Sequence, residues 1–299
     1  PITLAVSDGI AALAAGNAVV LKPDSQTPYC ALAAIELLYR AGLPRDLFAV
    51  VPGPGGVVGT AIVDLADHEV LSVSGPDRLS WIDSLTTQAV AELVPGQSAE
   101  TLLLDPSGRI ESAMRLVDDG ETLWILVDPG AGAALFTFLS RMIFMLRVEV
   151  ADRSGEFATI ATVGSEELPA ALASLVAAPA GVPLVWRDPW SEVVLGGVSY
   201  ADGPAHPGPG WIAHEALVPR SALPALAESG VPAAGTLALE ALRIAAWRPR
   251  WATEVDATTI PHELDWLRSA VHLAKGCYRG QETVAKVHNL GHPPRRLVL

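Results

Sequence analysis

The chain contains only two cysteines, Cys30 and Cys277, and they lie far apart in the sequence. Two separated thiols supply neither a disulfide framework nor a CxxC metal motif. They also cannot hold a four-thiolate iron–sulfur cluster within this chain alone. The scarcity of cysteine favours a reducing compartment, and we therefore expect a cytoplasmic protein.

Basic residues are scarce as well, since 20 Lys and Arg stand against 33 Asp and Glu and give a net charge of −13. Non-specific nucleic-acid binding depends on a surplus of Lys and Arg, so we expect no nucleic-acid partner. The chain opens without a basic secretory signal. Its long uncharged run, residues 168–186, is interrupted by Pro169, Pro179 and Pro183. We therefore expect no membrane partner.

The seven histidines form no metal-binding motif. Neither His214-Glu215 nor His262-Glu263 is followed by the second histidine of HExxH, so we predict surface histidines and no metal site. A GxSxG nucleophile elbow and a Walker A loop are also absent from the sequence.

The 299 residues are half hydrophobic and can form two domains with a large core. Helix and strand alternate at the start of the chain, with helices predicted at 2–15 and 28–41 and strands at 18–21 and 48–51. A glycine-rich turn follows at 52–56. This alternation predicts a parallel, Rossmann-type α/β unit over residues 1–66.

The pattern changes after about residue 66. Glu69–Ser74 is predicted to be a strand, and the Ser74-Gly75-Pro76-Asp77 run is predicted to cap a helix. The apolar face of that helix comprises Leu79, Ile82, Leu85, Ala89 and Leu93. Further strands are predicted at 101–104, 123–127, 147–150 and 158–163, and helices at 133–141 and 166–177. This order predicts an α+β fold with mostly antiparallel strands.

Candidate reactive and ligand-binding residues are concentrated in one short segment near the C-terminus, Lys275-Gly276-Cys277-Tyr278-Arg279-Gly280-Gln281-Glu282. A thiol acts as a nucleophile or ligand in its thiolate form, which neighbouring cations and helix N-termini favour. Lys275 and Arg279 stand two residues on either side of Cys277. An alternative is a small buried cysteine with its charged neighbours in solvent, and the chemistry alone leaves the two interpretations about equal.

The other motif residues also suit a ligand site. Gly276 and Gly280 allow tight turns and the close approach of a ligand to the backbone. Gln281 and Glu282 add an amide and a carboxylate directly after the second turn.

The segment KGCYRGQE at 275–282 resembles the KGC(Y/F)xGQE motif of the YgfZ family, which is related to the glycine-cleavage T-protein. LSVSGPDR at 71–78 and SLTTQ at 84–88 resemble the opening strand and helix of that family. Leu242-Arg243-Ile244, Ile260-Pro261-His262-Glu263 and Asn289-Leu290-Gly291 follow in the family's order. The resemblance covers residues 67–299.

This resemblance implies a tetrahydrofolate-binding protein that supports iron–sulfur cluster assembly or repair in other proteins, which would be its partners. It implies Cys277 as the key side chain, with the rest of the motif, Arg243 and Glu263 as folate-site candidates. Trp247, Trp251 and Trp266 are candidates for stacking on the pterin ring, with core packing as the commoner alternative.

Two departures from the T-protein argue against aminomethyltransferase activity. The T-protein places adjacent aspartates after a glycine-rich turn, where this chain has Gly108-Arg109-Ile110-Glu111. It also has a glutamate where this chain has Ala245. The Asp118-Asp119 pair is predicted to form a hairpin turn before Gly120.

The beginning of the chain resembles a different family. AGNAVVLKPDSQTP at 15–28, AGLP at 41–44 and VPGPG at 51–55 resemble aldehyde dehydrogenases, with semialdehyde dehydrogenases as the most similar branch. The resemblance implies vestigial NAD(P) contacts at Lys22, Ser25, Gly53 and Gly55. The catalytic cysteine and glutamate motifs of that family are absent after about residue 66, so we expect no bound NAD(P) and no dehydrogenase activity. Cys30 is predicted to be buried within its helix and inert.

Together these observations predict a partial dehydrogenase-like α/β segment at 1–66 and a multi-lobed T-protein/YgfZ-like body at 67–295. A truncated C-terminal β-barrel is predicted to start at 296–299. Tetrahydrofolate is expected in a central cavity with Cys277 at its edge. A semialdehyde dehydrogenase fragment, an aminomethyltransferase and a non-functional fragment are the alternatives.

Overall fold

The computed structural model describes residues 9–10, 12–14, 19–21, 28–45, 47–50, 61–200 and 206–295. At the start of the chain, 9–10 and 12–14 are helical. They are followed by strand β1 (Val19–Leu21), helix α1 (Pro28–Arg40) and strand β2 (Phe48–Val50). β1 and β2 pair in parallel, with Val19 opposite Phe48, as predicted for an α/β unit.

The buried face of helix α1 does not include Cys30. Ala31, Ala34 and Ile35 are buried, which is the spacing of one helix face. Cys30 is only half-buried, and Leu37 is 66% exposed. The prediction of a buried Cys30 is therefore wrong, because the inward stripe of α1 runs through Ala31 and not through Cys30.

Ten further strands form two five-stranded sheets. Their bounds are β3 (Ile62–Leu65), β4 (Glu69–Ser74), β5 (Ser98–Leu104), β6 (Ile110–Asp118), β7 (Thr122–Val127), β8 (Glu149–Asp152), β9 (Phe157–Val163), β10 (Val185–Arg187), β11 (Ala213–Pro219) and β12 (Ala233–Ala234). The first sheet has the order β10-β11-β9-β3-β12 and the second has the order β5-β6-β7-β4-β8. All pairings are antiparallel except that of β12 with β3.

Seven further helices accompany these sheets in the described part of the chain. They are α2 (Arg78–Leu85), α3 (Gly132–Met142), α4 (Ala170–Ala173), α5 (Leu223–Glu228), α6 (Thr236–Ala245), α7 (Trp251–Glu254) and α8 (Gln281–Leu290). The two sheets pack against each other through Val70, Trp124, Leu126, Trp186 and Leu217. The opposite face of the second sheet is covered by α2 and α3. The structure thus confirms the α+β class and the mostly antiparallel strands.

Helix α2 is shorter than predicted and is capped differently. It ends at Leu85, because Thr86 takes an extended conformation and its successor Thr87 donates its backbone N–H to Leu102 of β5. Ala89 and Leu93 therefore lie outside the helix. The Asp77 side chain does not cap α2, because its carboxylate instead accepts hydrogen bonds from Arg147.

Other sequence predictions also differ from the structure. Of the helix predicted at 166–177, only Ala170–Ala173 forms, where Pro169 precedes the first turn. Strand β6 was not predicted at all. In addition, β3 pairs with β9 and so joins the first sheet from before residue 66. The domain division at that residue remains a prediction.

The C-terminal part of the body packs against the ends of β5 and β6. Leu102, Trp190, Trp266, Tyr278 and Val284 belong to one buried cluster there. The described strands form open sheets and no closed barrel. The predicted barrel start at 296–299 lies outside the described residues. Within the described ranges, no helix is long and apolar enough to cross a membrane.

Candidate functional site

A cavity lies between the two sheets and is closed on one side by the segment that joins α6 to α7. It has about 700 Å³ of empty volume, including the part that opens to solvent. Its charged and histidine lining residues are His68, Glu100, Arg115, Asp128, Asp188, His214, Glu215, Glu240, Arg243, Arg248 and Arg250.

Arg115 of β6 is the centre of one charged cluster in this cavity. Its Nη1 lies 3.0 Å from Asp128 Oδ1, and its Nη2 lies 3.3 Å from His68 Nδ1. Its Nε lies 3.2 Å from Glu215 Oε2, but without hydrogen-bond geometry. Arg115 therefore joins carboxylates from both sheets, since Asp128 follows β7 and Glu215 lies on β11.

Burial and the charge of Arg115 oppose each other in their effect on the pKa values of Asp128 and Glu215, but both lower the pKa of His68. Burial raises the pKa of Asp128, but the attraction of Arg115 and its other neighbours outweighs it and lowers the pKa to about 2. Burial, followed by the charge of Arg115, lowers the pKa of His68 to about 3. For Glu215, burial outweighs Arg115 and raises the pKa to about 7. Near neutral pH, Glu215 is thus the carboxyl of this cluster that exchanges a proton.

Arg248 forms a second charged cluster on the same cavity. Its Nη2 donates to Glu100 Oε1 at 2.6 Å and its Nε donates to Asp188 Oδ2 at 2.9 Å. Trp266 donates its indole N–H to Glu100 at 3.1 Å. Trp211 donates its own to Asp188 at 2.7 Å. The guanidinium is therefore fixed by two buried carboxylates, while its Nη1 has no partner.

Several buried polar atoms of the cavity residues have no hydrogen-bond partner in the described structure. They are His68 Nε2, Arg115 Nε, His214 Nδ1, Glu215 Oε2, Arg243 Nε, Arg248 Nη1 and Trp251 Nε1. Buried polar groups are almost always paired with protein, water or ligand. Apart from Arg115 Nε and Glu215 Oε2, which lie 3.2 Å from each other, these atoms leave the cavity with buried polar groups that water or a polar ligand would satisfy.

Of the predicted folate-site residues, the structure brings Arg243 to this cavity. Its guanidinium is held by Glu240 at 2.5 Å and by Glu254 at 3.1 Å. The segment 275–282 contributes no described residue to the cavity lining. The structure therefore does not place Cys277 at the cavity edge.

Lys275 is buried and serves the backbone. Its ammonium donates to the carbonyl oxygens of Asp83, Thr86 and Gln88 at 2.6, 2.8 and 2.8 Å. Burial lowers its pKa, and Asp83 opposes that shift. Lys275 thus ties the motif to the C-terminal end of α2, and its ammonium is bonded to three backbone carbonyl oxygens.

Tyr278 and Arg279 are also engaged away from Cys277. Tyr278 is 8% exposed within the core, and burial raises its pKa to about 12. Arg279 donates to Glu111 at 2.6 Å and lies over the Phe138 ring. Cys277 itself is exposed, which contradicts the alternative of a small buried cysteine.

The two motif glycines have different roles. Gly280 has φ +82°, and a Cβ there would lie 2.5 Å from the Asp105 carbonyl oxygen and 3.0 Å from Gly108 Cα. It therefore lets the start of α8 contact the β5–β6 turn. A Cβ at Gly276 would meet nothing within 4 Å. Gln281 and Glu282 form the first turn of α8.

Glu263 lies apart from the cavity. It is 4% exposed and accepts hydrogen bonds from Ile260 N at 3.4 Å and from Arg295 Nη2 at 2.7 Å. The predicted dinucleotide contacts Lys22, Ser25, Gly53 and Gly55 lie outside the described residues.

Two further sequence predictions concern the Asp118-Asp119 turn and the exposure of the histidines. Asp118 and Asp119 form the predicted turn before Gly120, and Asp118 also pairs with Arg78 at 2.7 Å. The prediction of surface histidines is wrong for His68, His214 and His262, which are each at most 3% exposed. Among the described residues, no group of three or more potential ligands could hold a metal.

Sequence reasoning did not identify Arg115, Glu215 and Arg248 as site residues. Two of them can be recognised afterwards as charged residues with apolar neighbours in buried strands: Arg115 lies between Met114 and Leu116, and Glu215 precedes Ala216 in β11. A charge in a buried strand requires a partner, which makes it a candidate for a site.

Comparison with known proteins divides the chain into two parts. The aldehyde dehydrogenase family model matches residues 1–80. Over 68 residues the chain is 76% identical to a putative succinate-semialdehyde dehydrogenase [NADP(+)] 2 of Mycobacterium tuberculosis. It is 50% identical to a glutarate-semialdehyde dehydrogenase of Pseudomonas putida. These matches cover 23% of this chain but only 13% and 14% of those relatives.

One solved structure resembles most of the chain. The structure of glycine cleavage system aminomethyltransferase T from Bartonella henselae matches with a TM-score of 0.57 and 20% identity. The match covers 79% of this chain and 66% of that one. The chain therefore combines a segment similar to semialdehyde dehydrogenases with a body that has the fold of aminomethyltransferase T.

Proposed function

We propose that the body of this protein binds tetrahydrofolate in the cavity between its sheets and supports iron–sulfur cluster assembly or repair in other proteins. The observation that carries the proposal is the set of unpaired, buried polar atoms around Arg115, Glu215 and Arg248. They lie in a T-protein-like fold whose sequence also carries the YgfZ-type motif.

The lining residues fit a reduced folate chemically. A pterin ring presents N–H donors beside a carbonyl acceptor, and the rest of the molecule ends in carboxylates. Glu215 Oε2 supplies an acceptor, with Arg115 Nε 3.2 Å away beside it, and Arg248 Nη1 supplies an unpaired donor. Trp186, Trp211, Trp251 and Trp266 supply aromatic walls. Tetrahydrofolate, when bound, carries one-carbon units, while the residues named here bind and orient it.

The exposed position of Cys277 supports a role toward a partner protein. The thiol is accessible, whereas Lys275 and Tyr278 on its two sides are anchored in the body. We propose that the segment presents Cys277 to iron–sulfur proteins or to their assembly machinery, which would supply the remaining ligands that two cysteines cannot.

Calorimetric titration with 5-formyltetrahydrofolate, a stable reduced folate, tests the binding proposal. We expect saturable heat and a raised melting temperature. Glu215→Ala should weaken binding at least about tenfold, because the ligand loses a buried charge-assisted hydrogen bond. Cys277→Ala is the matched control and should bind normally. The absence of both heat and a thermal shift at millimolar folate would refute folate binding.

Complementation tests the iron–sulfur role separately. In cells that lack the protein, the intact chain should restore the activity of iron–sulfur enzymes, whereas Cys277→Ala should not. Cys277→Ala should melt within about 1 °C of the intact protein, because the thiol is exposed. Full complementation by Cys277→Ala would remove the cysteine from the function.

A further inference from the structure

A continuous chain of buried hydrogen bonds runs from the cavity to the cysteine motif. Arg248 donates to Glu100 Oε1 at 2.6 Å, and Ser269 Oγ donates to Glu100 Oε2 at 2.6 Å. Gln88 Nε2 donates to the carbonyl oxygen of Ser269 at 3.1 Å. Lys275 Nζ donates to the carbonyl oxygen of Gln88 at 2.8 Å. Four hydrogen bonds therefore link a cavity arginine to a residue two positions before Cys277.

Every member of this chain is shielded from solvent. Arg248, Glu100, Ser269 and Gln88 are 7%, 2%, 1% and 6% exposed, and the side chain of Lys275 is 4% exposed. Buried hydrogen bonds are strong and sensitive to geometry, because water cannot replace a partner that moves. A displacement of Arg248 therefore changes the geometry of each hydrogen bond along this chain, as far as Lys275.

The two ends of the chain differ in how freely they can respond. At the cavity end, Arg248 Nη1 is unpaired and available to an acceptor on a ligand. At the other end, Gly276 and Cys277 are exposed, and the space around Gly276 is open. Gly276 and Cys277 can therefore shift by a small distance between the anchored side chains of Lys275 and Tyr278.

We propose that Ser269 and Gln88 are positioning residues that couple occupation of the cavity to the conformation of the cysteine motif. The inference rests on the proposed folate binding. A folate acceptor on Arg248 Nη1 draws the guanidinium toward the ligand, and the shift passes through Glu100, Ser269 and Gln88 to Lys275. The loop that carries Cys277 becomes more ordered, and its thiol becomes less reactive toward small reagents. The cysteine thereby reports whether the cavity is filled.

The test measures the rate of Cys277 alkylation by iodoacetamide with and without saturating 5-formyltetrahydrofolate, in a full-length Cys30→Ser background. Coupling between sites commonly amounts to factors of about 5 to 150. We expect folate to slow alkylation at least about fivefold in the reference protein. The slowing should fall below about twofold in Ser269→Ala and, independently, in Gln88→Met.

Neither Ser269 nor Gln88 lines the cavity, but both line a second pocket that shares Glu100 with it, so calorimetry on each variant checks that folate binding itself is kept. Ser112→Ala is the matched control, since Ser112 is another buried serine, 3% exposed, outside the chain of hydrogen bonds. It should keep the full folate effect. Calorimetry on the same samples separates the two proposals: absence of heat overturns folate binding and the coupling with it. Heat with an unchanged alkylation rate, or with equal slowing in all variants, overturns the coupling alone.

Discussion

Replacing Gly280 by alanine should destabilise the protein severely, whereas replacing Gly276 should not. Alanine at φ +82° costs about 1–2 kcal/mol. The new methyl group would also lie 2.5 Å from a backbone oxygen and 3.0 Å from Leu104 Cβ. Such overpacking costs about 1–3 kcal/mol more. We therefore expect a loss of about 3 kcal/mol for Gly280→Ala and less than about 0.5 kcal/mol for Gly276→Ala.

Differential scanning calorimetry of the two variants and the intact protein measures this contrast. In a chain of 299 residues a loss of about 3 kcal/mol lowers the melting temperature by about 5 °C. The two glycines lie four positions apart in one motif, so each controls for the other. If Gly280→Ala melted at the same temperature as the intact protein, the contact of Gly280 with the β5–β6 turn would be contradicted. Equal losses in both variants would show that the motif needs glycine for another reason.

Three further substitutions test the charged residues. Lys275→Met should lower the free energy of unfolding in urea by about 2–4 kcal/mol, because three carbonyl acceptors lose their donor. Lys286→Met, at an exposed lysine, is the control. Equal losses in the two variants would contradict the anchoring role of Lys275. Folding raises the pKa of Glu215 from 4.5 to about 7, so the stability of the protein should fall as pH rises between these values. Melting curves of Glu215→Gln should lack this fall in stability between pH 4.5 and 7. An unchanged pH profile in that variant would contradict the raised pKa. Arg115→Met should lower the free energy of unfolding by about 3–5 kcal/mol, because it leaves buried carboxylates without their cation. Adding Asp128→Asn should recover part of this loss in the same melting assay. Additive losses from the two substitutions would refute the pairing.

Local pattern was enough to predict much of the fold. Strand β4 has the predicted bounds, and α1 begins at Pro28, because proline fits the first turn of a helix. Helix α2 was overextended, since its apolar spacing continues to Leu93 while a tertiary hydrogen bond at Thr87 turns the chain toward β5. Periodicity does not contain that long-range contact.

The site was less accessible to sequence reasoning. The motif 275–282 drew attention because its residues are contiguous, but several of them turned out to be anchors of the loop. Arg115, Glu215 and Arg248 come from three distant places in the chain and meet only through sheet packing. Arg243 was identified by resemblance, and the structure brings it to the cavity. Spacing alone cannot show which single charges converge.

The anchoring of the cysteine loop limits how far the thiol can travel. Lys275 is fastened to α2 and Tyr278 is buried in the core, so only Gly276 and Cys277 are free between them. Consecutive Cα atoms are about 3.8 Å apart, so a two-residue span allows a swing of only a few ångströms. Cys277 therefore cannot carry a group from the surface into the cavity like a swinging arm. Any molecule that exchanges atoms with this thiol has to come to it, and its shape must fit the surface on which the cysteine stands.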